Sequence, residues 1–98
     1  MRFEWNPQKA EINFHKHKID FETASQVFND PLAISIPDRE HSKGEERWIT
    51  LGRAKGANPL LVVIHTYRDL GSDELTRIIS ARKATAKEHR QYTNLPGE

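Results

Sequence analysis

Residues 60–67 read Leu-Leu-Val-Val-Ile-His-Thr-Tyr, and this stretch decides the fold. Five aliphatic residues in succession, preceded by the turn residues Lys-Gly-Ala-Asn-Pro at 55–59, are typical of a central strand of a sheet. Before residue 32 the apolar residues recur about every four positions, whereas after it the period is close to two. The sequence therefore predicts helices first and a β-sheet afterwards.

Three further strands are predicted around this central strand. Leu32–Ile36 is a short strand that ends at Pro37. Glu45–Arg53 is a strand in which Arg47, Ile49 and Leu51 alternate with Glu46, Trp48 and Thr50, and Leu75–Ala81 is the last strand. A polar loop at 38–44 separates the first two of them. Because the connections between the later strands are short, neighbouring strands should pair as an antiparallel meander.

Two helices are predicted ahead of the sheet. Asn6 is a good N-cap and Pro7 suits the first helical position, so the first helix begins there and runs to about His17. Asp20 caps a second, short helix that Asn29-Asp30-Pro31 ends. The buried face of the first helix is expected to carry Ala10, Phe14 and His17, and that of the second Phe21, Ala24, Val27 and Phe28.

A third, C-terminal helix is predicted from Thr85 and Glu88, which have the spacing of a capping box. The chain of 98 residues has the length of one domain, so residues 1–98 are expected to fold as a single unit. The expected fold class is α+β. Two N-terminal helices should pack on one face of a curved, mainly antiparallel four-stranded sheet, since an apolar sheet face needs a covering layer.

The net charge is only +1, but the charge is unevenly distributed along the chain. Segment 76–92 carries five basic residues against Glu88 alone, a local charge of +4. The five are Arg77, Arg82, Lys83, Lys87 and Arg90. A basic face suits a polyanionic partner, because phosphate contacts depend on local charge and not on the total. The alternative is a solvated helix end, where Lys and Arg often gather.

Several classes of protein and site are excluded by what the sequence lacks. There is no cysteine, so disulfides and thiolate metal sites are absent. His15 and His17 are two positions apart and would point in different directions on a helix, so we expect neither a metal nor another cofactor. No apolar run reaches the length of a membrane span, and the N-terminus lacks the apolar core of a signal peptide. The protein is expected to be soluble and cytoplasmic.

The residues that remain for chemistry lie at the ends of the last two predicted strands. An antiparallel meander would bring His65, Tyr67, Arg68 and Arg77 within reach of each other. Cleaving RNA without a metal requires a base for the ribose 2′-hydroxyl, an acid for the leaving 5′-oxygen and cations for the charge that grows on phosphate. His65 titrates in the right range, the two arginines can hold phosphate oxygens, and Tyr67 can stack on a base or donate a proton.

Each of these residues also has a structural interpretation. His65 in an otherwise apolar strand is more often a hydrogen-bonded core histidine than a catalyst. Arg82 and Lys83 could merely introduce the last helix. Strict alternation would place Arg77 on one face with Ala81 and Lys83, and Arg82 on the opposite face. These alternatives remain open at the level of the sequence.

Three stretches of the chain point to a known family. The opening carries Phe3-Glu4-Trp5-Asn6-Pro7-x-Lys9-Ala10, then Asn13, Lys16-His17, Phe21-Glu22-x-Ala24 and Val27-Phe28-x-Asp30-Pro31. The middle carries Gly44-Glu45-Glu46-Arg47-Trp48, Leu51-Gly52 and Tyr67-Arg68. The end carries Arg77-Ile78-Ile79-Ser80-Ala81-Arg82-Lys83-Ala84-Thr85, with Glu88, Arg90 and Tyr92. Over about residues 2–92 the chain resembles the BrnT toxins, and the closing run is the most specific part of this resemblance.

The resemblance implies a fold similar to RelE-type toxins and an endoribonuclease that blocks translation. It also implies an inhibiting BrnA-like antitoxin, through which the complex binds its own promoter DNA. The expected reaction cleaves RNA, without a metal, to a 2′,3′-cyclic phosphate and a 5′-hydroxyl. On this basis His65, Tyr67, Arg68 and Arg77 are predicted as catalytic groups, and Arg82 and Lys83 as RNA-binding groups. Lys87 and Arg90 of the basic segment are predicted to bind RNA as well.

Two other functions are compatible with the sequence. In one, the chain is a non-catalytic module whose basic face holds a DNA-binding partner or nucleic acid. In the other, it is a toxin that has lost its activity. One departure from the family pattern is Lys18, where a glycine usually follows the Lys-His pair. That position should end the first helix in a left-handed conformation, which costs a non-glycine residue roughly 1 kcal/mol.

Overall fold

Five β-strands and three α-helices make up the part of the chain that the structure, a computed structural model, describes: residues 1–41, 44–55 and 59–93. The strands are β1 (Arg2–Glu4), β2 (Ile34–Pro37), β3 (Arg47–Arg53), β4 (Leu60–Asp69) and β5 (Glu74–Lys83). The helices are α1 (Pro7–His17), α2 (Phe21–Ser25) and α3 (Ala86–Thr93), and a 3₁₀ turn at Gln26–Asn29 continues α2. The α+β class is as predicted.

The sheet has the strand order β1-β5-β4-β3-β2. The four strands from β2 to β5 pair antiparallel as expected, and β4 lies at the centre. The prediction of four strands is wrong, because β1 adds a fifth that runs parallel to β5, with Glu4 opposite Arg77. The sheet is therefore mixed. The helical segment that follows β1 carries the chain across the sheet, and only such a crossover connection allows a parallel pair.

Two predicted loops fall partly outside the described residues. The turn expected at 55–59 includes residues 56–58, and the polar loop expected at 38–44 includes residues 42 and 43. The strands that these loops connect are confirmed, with bounds that differ from the predicted ones by a few residues.

One side of the sheet, here called the back face, packs against α1, α2 and the 3₁₀ turn. Its core contains Phe21, Ala24 and Val27 from the helices and Leu61, Val63, Ile78 and Ala81 from the strands. Gly52 permits this close approach, since a Cβ there would lie 2.8 Å from Val27 Cγ1. The second helix thus buries the predicted stripe.

The buried face of α1 differs from the prediction. Phe14, expected inside, is 46% exposed, and the buried residue of α1 is Asn13. The Asn13 Nδ2 group donates to the carbonyls of Ile19 and Ala81, both at 3.0 Å, and Asn13 Oδ1 accepts from Ala81 N at 3.1 Å. The strand β1 pairs with β5 only as far as Arg77. Further along β5, Asn13 makes hydrogen bonds to the backbone of Ala81 as a neighbouring strand would.

The other side of the sheet, here called the front face, is partly covered by α3. Tyr92 of α3 packs against Leu51, Leu60 and Val62, and its hydroxyl donates to Asp30 Oδ2 at 2.6 Å. Asp30 also accepts hydrogen bonds from the backbone of Arg53 and Leu32. Burial raises the pKa of Asp30, whereas the hydrogen bonds from Tyr92, Arg53 and Leu32 lower it. The hydrogen bonds together outweigh burial, so the pKa of Asp30 lies below its usual value.

The predicted helix caps are confirmed. Asn6 accepts from Gln8 N and Lys9 N, and Asp20 accepts from Thr23 N. Thr85 N donates to Glu88 Oε1 while Glu88 N donates to Thr85 Oγ1, as in a capping box. Lys18 ends α1 at φ 62°, ψ 26°, the left-handed conformation expected from its position.

Candidate catalytic face

A bulge in β5 determines which arginines share a face. Ser80 lies opposite Ile64 and Ile78 lies opposite His65, so Ile79 is an extra residue between the two pairs. Arg82 lies opposite Val62, and Arg77 lies opposite Thr66. Both arginines are therefore on the front face, and the prediction that strict alternation separates them is wrong.

Arg77 lies in a small recess at one end of the front face. Its guanidinium Nε donates to Glu4 Oε2 at 2.7 Å, and the two side chains are 55% and 38% exposed. The other residues that line the recess are Glu45, Thr66, Arg68 and Leu75. The hydrogen bond that Arg77 donates to Glu4, and then the negative charge of Glu4, raise the pKa of Arg77, so the side chain stays cationic. The recess thus holds two cations and two carboxylates in contact with solvent.

Arg82 is engaged within the fold. Its two terminal nitrogens donate to the two carboxylate oxygens of Glu88, at 2.8 and 2.9 Å. This fork fixes the first turn of α3 to β5, and it lowers the pKa of Glu88 to about 2. Arg82 therefore positions α3, and its charge is balanced by Glu88.

The remaining predicted RNA-binding residues lie around α3 and the end of β5. Lys87 and Arg90 are exposed on α3, three positions apart and therefore on one side of the helix. Lys83 is exposed and lies opposite Leu61, so it is on the back-face side of β5. The basic segment predicted from the sequence is thus divided between two faces.

His65 and Tyr67 are on the back face, behind Arg68 and Arg77. The Nε2 atom of His65 is 2.6 Å from Thr50 Oγ1, which in turn is 2.7 Å from Ser35 Oγ. The rings of Phe28 and Tyr67 pack edge-on against the imidazole, each with centroids 4.7 Å apart. The prediction that the four side chains form one cluster is wrong. Alternation along β4 places His65 and Tyr67 on the back face and Arg68 on the front face, where Arg77 of β5 also lies.

The surroundings of these two residues suit a structural role. His65 has 0% exposure, and burial lowers its pKa from 6.5 to about 4, so it is neutral near pH 7. Its Nδ1 atom is buried with no partner within the described part of the chain. Burial and then the charge of Glu74 raise the pKa of Tyr67, which hydrogen-bonds Ser35 and Thr50. The geometry is that of a hydrogen-bonded core histidine, the structural alternative considered above.

An apolar groove runs along the front face between α3 and the edge strand β2. Its floor is formed by Ile34, Ile36, Ile49, Leu51 and Val62, and its wall by Glu88 and Gln91 of α3. Arg47 precedes Ile49 by two residues on the same face of β3. The groove and the recess around Arg77 thus belong to one continuous surface.

Two further observations concern metal ions and membranes. Within residues 1–41, 44–55 and 59–93, no three His, Asp or Glu side chains are grouped so that they could hold a metal ion. No helix in the same residues is long and apolar enough to cross a membrane.

Sequence reasoning missed the two carboxylates of this surface, Glu4 and Glu45, and Glu4 is the one that contacts Arg77. The sequence placed it in a short extended piece without a partner strand. Its contact with Arg77 joins residues 73 positions apart and depends on the parallel pairing of β1 with β5. The only available signal was the extended character of residues 3–5, which does not specify a partner.

Comparison with known proteins identifies a family. Residues 5–88 match the sequence model of a family described as the ribonuclease toxin, BrnT, of type II toxin–antitoxin systems. No individual curated protein matches the chain. The matched range includes the helices α1 and α2, the strands β2 to β5 and the start of α3.

Proposed function

The chain belongs to the BrnT family of ribonuclease toxins of type II toxin–antitoxin systems, and from this membership we propose that it is a metal-independent endoribonuclease. It cleaves RNA to a 2′,3′-cyclic phosphate and a 5′-hydroxyl and thereby stops translation. We place the catalytic centre in the recess of the front face around Arg68 and Arg77. His65 and Tyr67 support the sheet from behind.

The observation that carries this proposal is the position of Arg77. Its guanidinium is exposed on the front face next to Arg68, at a point where α3 leaves the sheet open. A guanidinium holds phosphate oxygens in a fixed planar arrangement, and it stabilises the charge that develops on them in the transition state. The exposed Lys87 and Arg90 on α3 extend the positive surface along which an RNA strand could run.

Absence of a metal requirement is inferred from the chemistry available on this face. Cations that stabilise the phosphate are supplied by arginine side chains, so an Mg²⁺ ion is not needed for that task. The acidic residues in the recess are matched by the two arginines and do not form a set of metal ligands. General acid–base chemistry then accounts for the proton transfers.

Incubation of the purified chain with a labelled RNA oligonucleotide in excess EDTA tests this function. We expect cleavage to continue at an undiminished rate, and the products to carry a 2′,3′-cyclic phosphate and a 5′-hydroxyl. Activity that disappears with the chelator and returns with Mg²⁺ or Zn²⁺ contradicts the metal-free mechanism. RNA that stays intact under all conditions, while the folded chain still binds it, favours the non-catalytic module instead.

Membership in a type II family implies an antitoxin partner as well as an RNA substrate. We propose that this partner is a BrnA-like antitoxin, which covers the basic surface of β5 and α3 and through which the complex binds promoter DNA. The support for this surface is the exposed positive charge of Arg77, Lys87 and Arg90, because masking the substrate-binding charge inactivates the toxin directly. Such a toxin would act in the cytoplasm, where ribosomes and messenger RNA are found.

A further inference from the structure

Glu4 contacts Arg77 on the front face, and we propose that Glu4 is the general base of the cleavage reaction. The assignment rests on the proposed function, because a base for the ribose 2′-hydroxyl is needed only if the chain cleaves RNA. The Glu4 carboxylate is 38% exposed and accepts the hydrogen bond from Arg77 Nε at 2.7 Å. It is therefore open to a substrate and held in one place.

The histidine that the sequence suggested for this role is in the wrong place for it. His65 is completely buried on the back face between the rings of Phe28 and Tyr67. A base must come within hydrogen-bond distance of the proton that it removes, and RNA on the front face cannot approach the imidazole through the sheet. Among the side chains that line the recess, the carboxylates offer oxygen lone pairs to a proton, whereas the arginines have no acceptor atom.

The ion pair itself sets the geometry for the reaction. Arg77 uses Nε to bind Glu4, which leaves its two terminal nitrogens to bind the oxygens of a phosphate. The ribose 2′-hydroxyl is attached to the carbon next to the one that bears this phosphate. A phosphate held by Arg77 therefore brings the 2′-hydroxyl close to the Glu4 carboxylate, while Arg68 supplies a second positive charge in the same recess.

Glu45 is the other carboxylate in the recess and the obvious rival. It acts on Arg77 through its charge alone, whereas Glu4 both contacts Arg77 and acts through its charge. Glu4 is also part of a strand, held by pairing with β5 at Arg77 itself, whereas Glu45 lies in the segment before β3 begins. A base on a regular element is held more closely in position than one in a connection.

In the proposed step, Glu4 takes the proton of the 2′-hydroxyl as the 2′-oxygen attacks phosphorus. The new bond joins the 2′-oxygen to phosphorus, and the bond from phosphorus to the 5′-oxygen breaks. The leaving 5′-oxygen takes a proton from solvent, and Glu4 returns its own proton to solvent afterwards. The products together have the composition of the starting RNA, so no water is consumed and no electron is transferred.

Glu4→Gln, assayed with a labelled RNA oligonucleotide over a range of pH, tests this assignment. We expect kcat/KM to fall by roughly 100- to 1,000-fold, as for the loss of a general base. The rise of the rate with pH on the acid side, which the wild-type chain should show, is expected to disappear. Affinity for the same oligonucleotide with 2′-O-methyl groups, which cannot be cleaved, should stay within about threefold of the wild type. Glu11→Gln, which removes an exposed carboxylate from α1, is the matched control and should behave as the wild type.

The outcomes distinguish this assignment from the proposed function. Wild-type chain that does not cleave RNA overturns both. Wild-type cleavage together with Glu4→Gln cleaving at the same rate overturns only the assignment, as does a loss that appears in Glu45→Gln instead. An equal loss of affinity for the 2′-O-methyl oligonucleotide would make Glu4 a residue that merely holds Arg77. If Glu4→Gln does not fold, Glu4→Asp decides, because it must cleave more slowly and still lose activity at acid pH.

Discussion

Arg77 and Arg82 are on the same face of β5 although five positions separate them, because Ile79 is an extra residue in the strand. An odd spacing on a regular strand would place the two guanidinium groups on opposite sides of the sheet. With the bulge, Arg82 binds Glu88 and holds α3 on the front face, while Arg77 stays in the open recess beyond the helix. The extra residue thus brings both arginines to one face, where Arg82 has a structural role and Arg77 stays accessible to solvent.

Arg77→Ala is expected to lower kcat/KM for RNA cleavage by roughly 30- to 1,000-fold. The melting temperature should change little, because an ion pair as exposed as that of Arg77 with Glu4 contributes about 0–1 kcal/mol to stability. Steady-state kinetics and a thermal melt measure the two quantities. Lys16→Ala on α1 removes an exposed positive charge that does not line the recess and serves as the control. A variant that melts and cleaves as the wild type does would remove Arg77 from the catalytic centre.

Antitoxin binding is expected to protect the amide hydrogens of β5 and α3 from exchange. These elements carry Arg77, Lys87 and Arg90, whose exposed positive charges an acidic partner surface would match. Hydrogen exchange of the toxin alone and in the complex, followed by mass spectrometry, reports the protected segments. Protection confined to residues 7–28, with 76–92 unchanged, would place the partner on the back-face helices and contradict this prediction.

The buried imidazole of His65 should make folding stability depend on pH. Its pKa is about 4 in the folded chain and 6.5 in the unfolded one, so below pH 6.5 the unfolded chain binds the extra proton. The stability that the neutral His65 contributes is therefore fully present above pH 6.5. It is lost as the pH falls towards 4, and the loss amounts to about 3 kcal/mol. Urea unfolding at steps of half a pH unit measures this dependence. The change in the free energy of unfolding between pH 6.5 and 4.5 is largely separate from the titration of carboxylates.

His65→Gln is the variant that checks the source of this dependence. Glutamine retains a polar group for Thr50 but does not titrate, so the free energy of unfolding should become nearly independent of pH between 6.5 and 4.5. RNA cleavage near pH 7 should persist in this variant if its fold is kept. An unchanged pH dependence would show that His65 is not the responsible group, and a folded variant without activity would return His65 to the catalytic centre.

Asn13→Ala is expected to destabilise the fold by about 2–4 kcal/mol. The substitution removes three hydrogen bonds from a buried side chain and leaves the N–H and carbonyl of Ala81 without their partner. Ile12→Ala, at a neighbouring position of α1 that is 65% exposed, should cost much less and is the control. Chemical denaturation compares the two. Equal losses in both variants would mean that Asn13 does not act as the edge partner of β5.

Lys18→Gly is expected to stabilise the chain by roughly 0.5–1 kcal/mol. Lys18 is the one non-glycine residue with a positive φ in the described part of the chain, and glycine adopts this conformation without steric cost. The midpoint of urea unfolding should therefore rise with no change in its slope. Lys16→Gly, inside α1, should lower it instead, because glycine is unfavourable within a helix. A lower midpoint for Lys18→Gly would mean that the lysine side chain contributes more than the strain that it introduces.

The elements with local signals could be predicted from the sequence, because the interactions that define them join neighbours in the chain. Asn6, Asp20 and Thr85 cap helices through bonds to residues two or three positions away. The aliphatic run from Leu60 specified the central strand, since its length and its flanking turn residues are local properties. The left-handed cap at Lys18 was expected from the family pattern, which usually has a glycine at that position.

Only the tertiary structure decided which side chains meet. Glu4 contacts Arg77 across 73 positions and Asn13 binds Ala81 across 68, and in neither case does the sequence near one residue specify the other. The bulge at Ile79 likewise arises from pairing with β4, and it reversed the face on which strict alternation would have placed Arg77 relative to Arg82. Periodicity places a residue on one side of a strand only while the strand stays regular. The sequence could nominate the arginines, but only the packing of the helices on the back face buried His65, and only the pairing of β1 with β5 placed Glu4 beside Arg77.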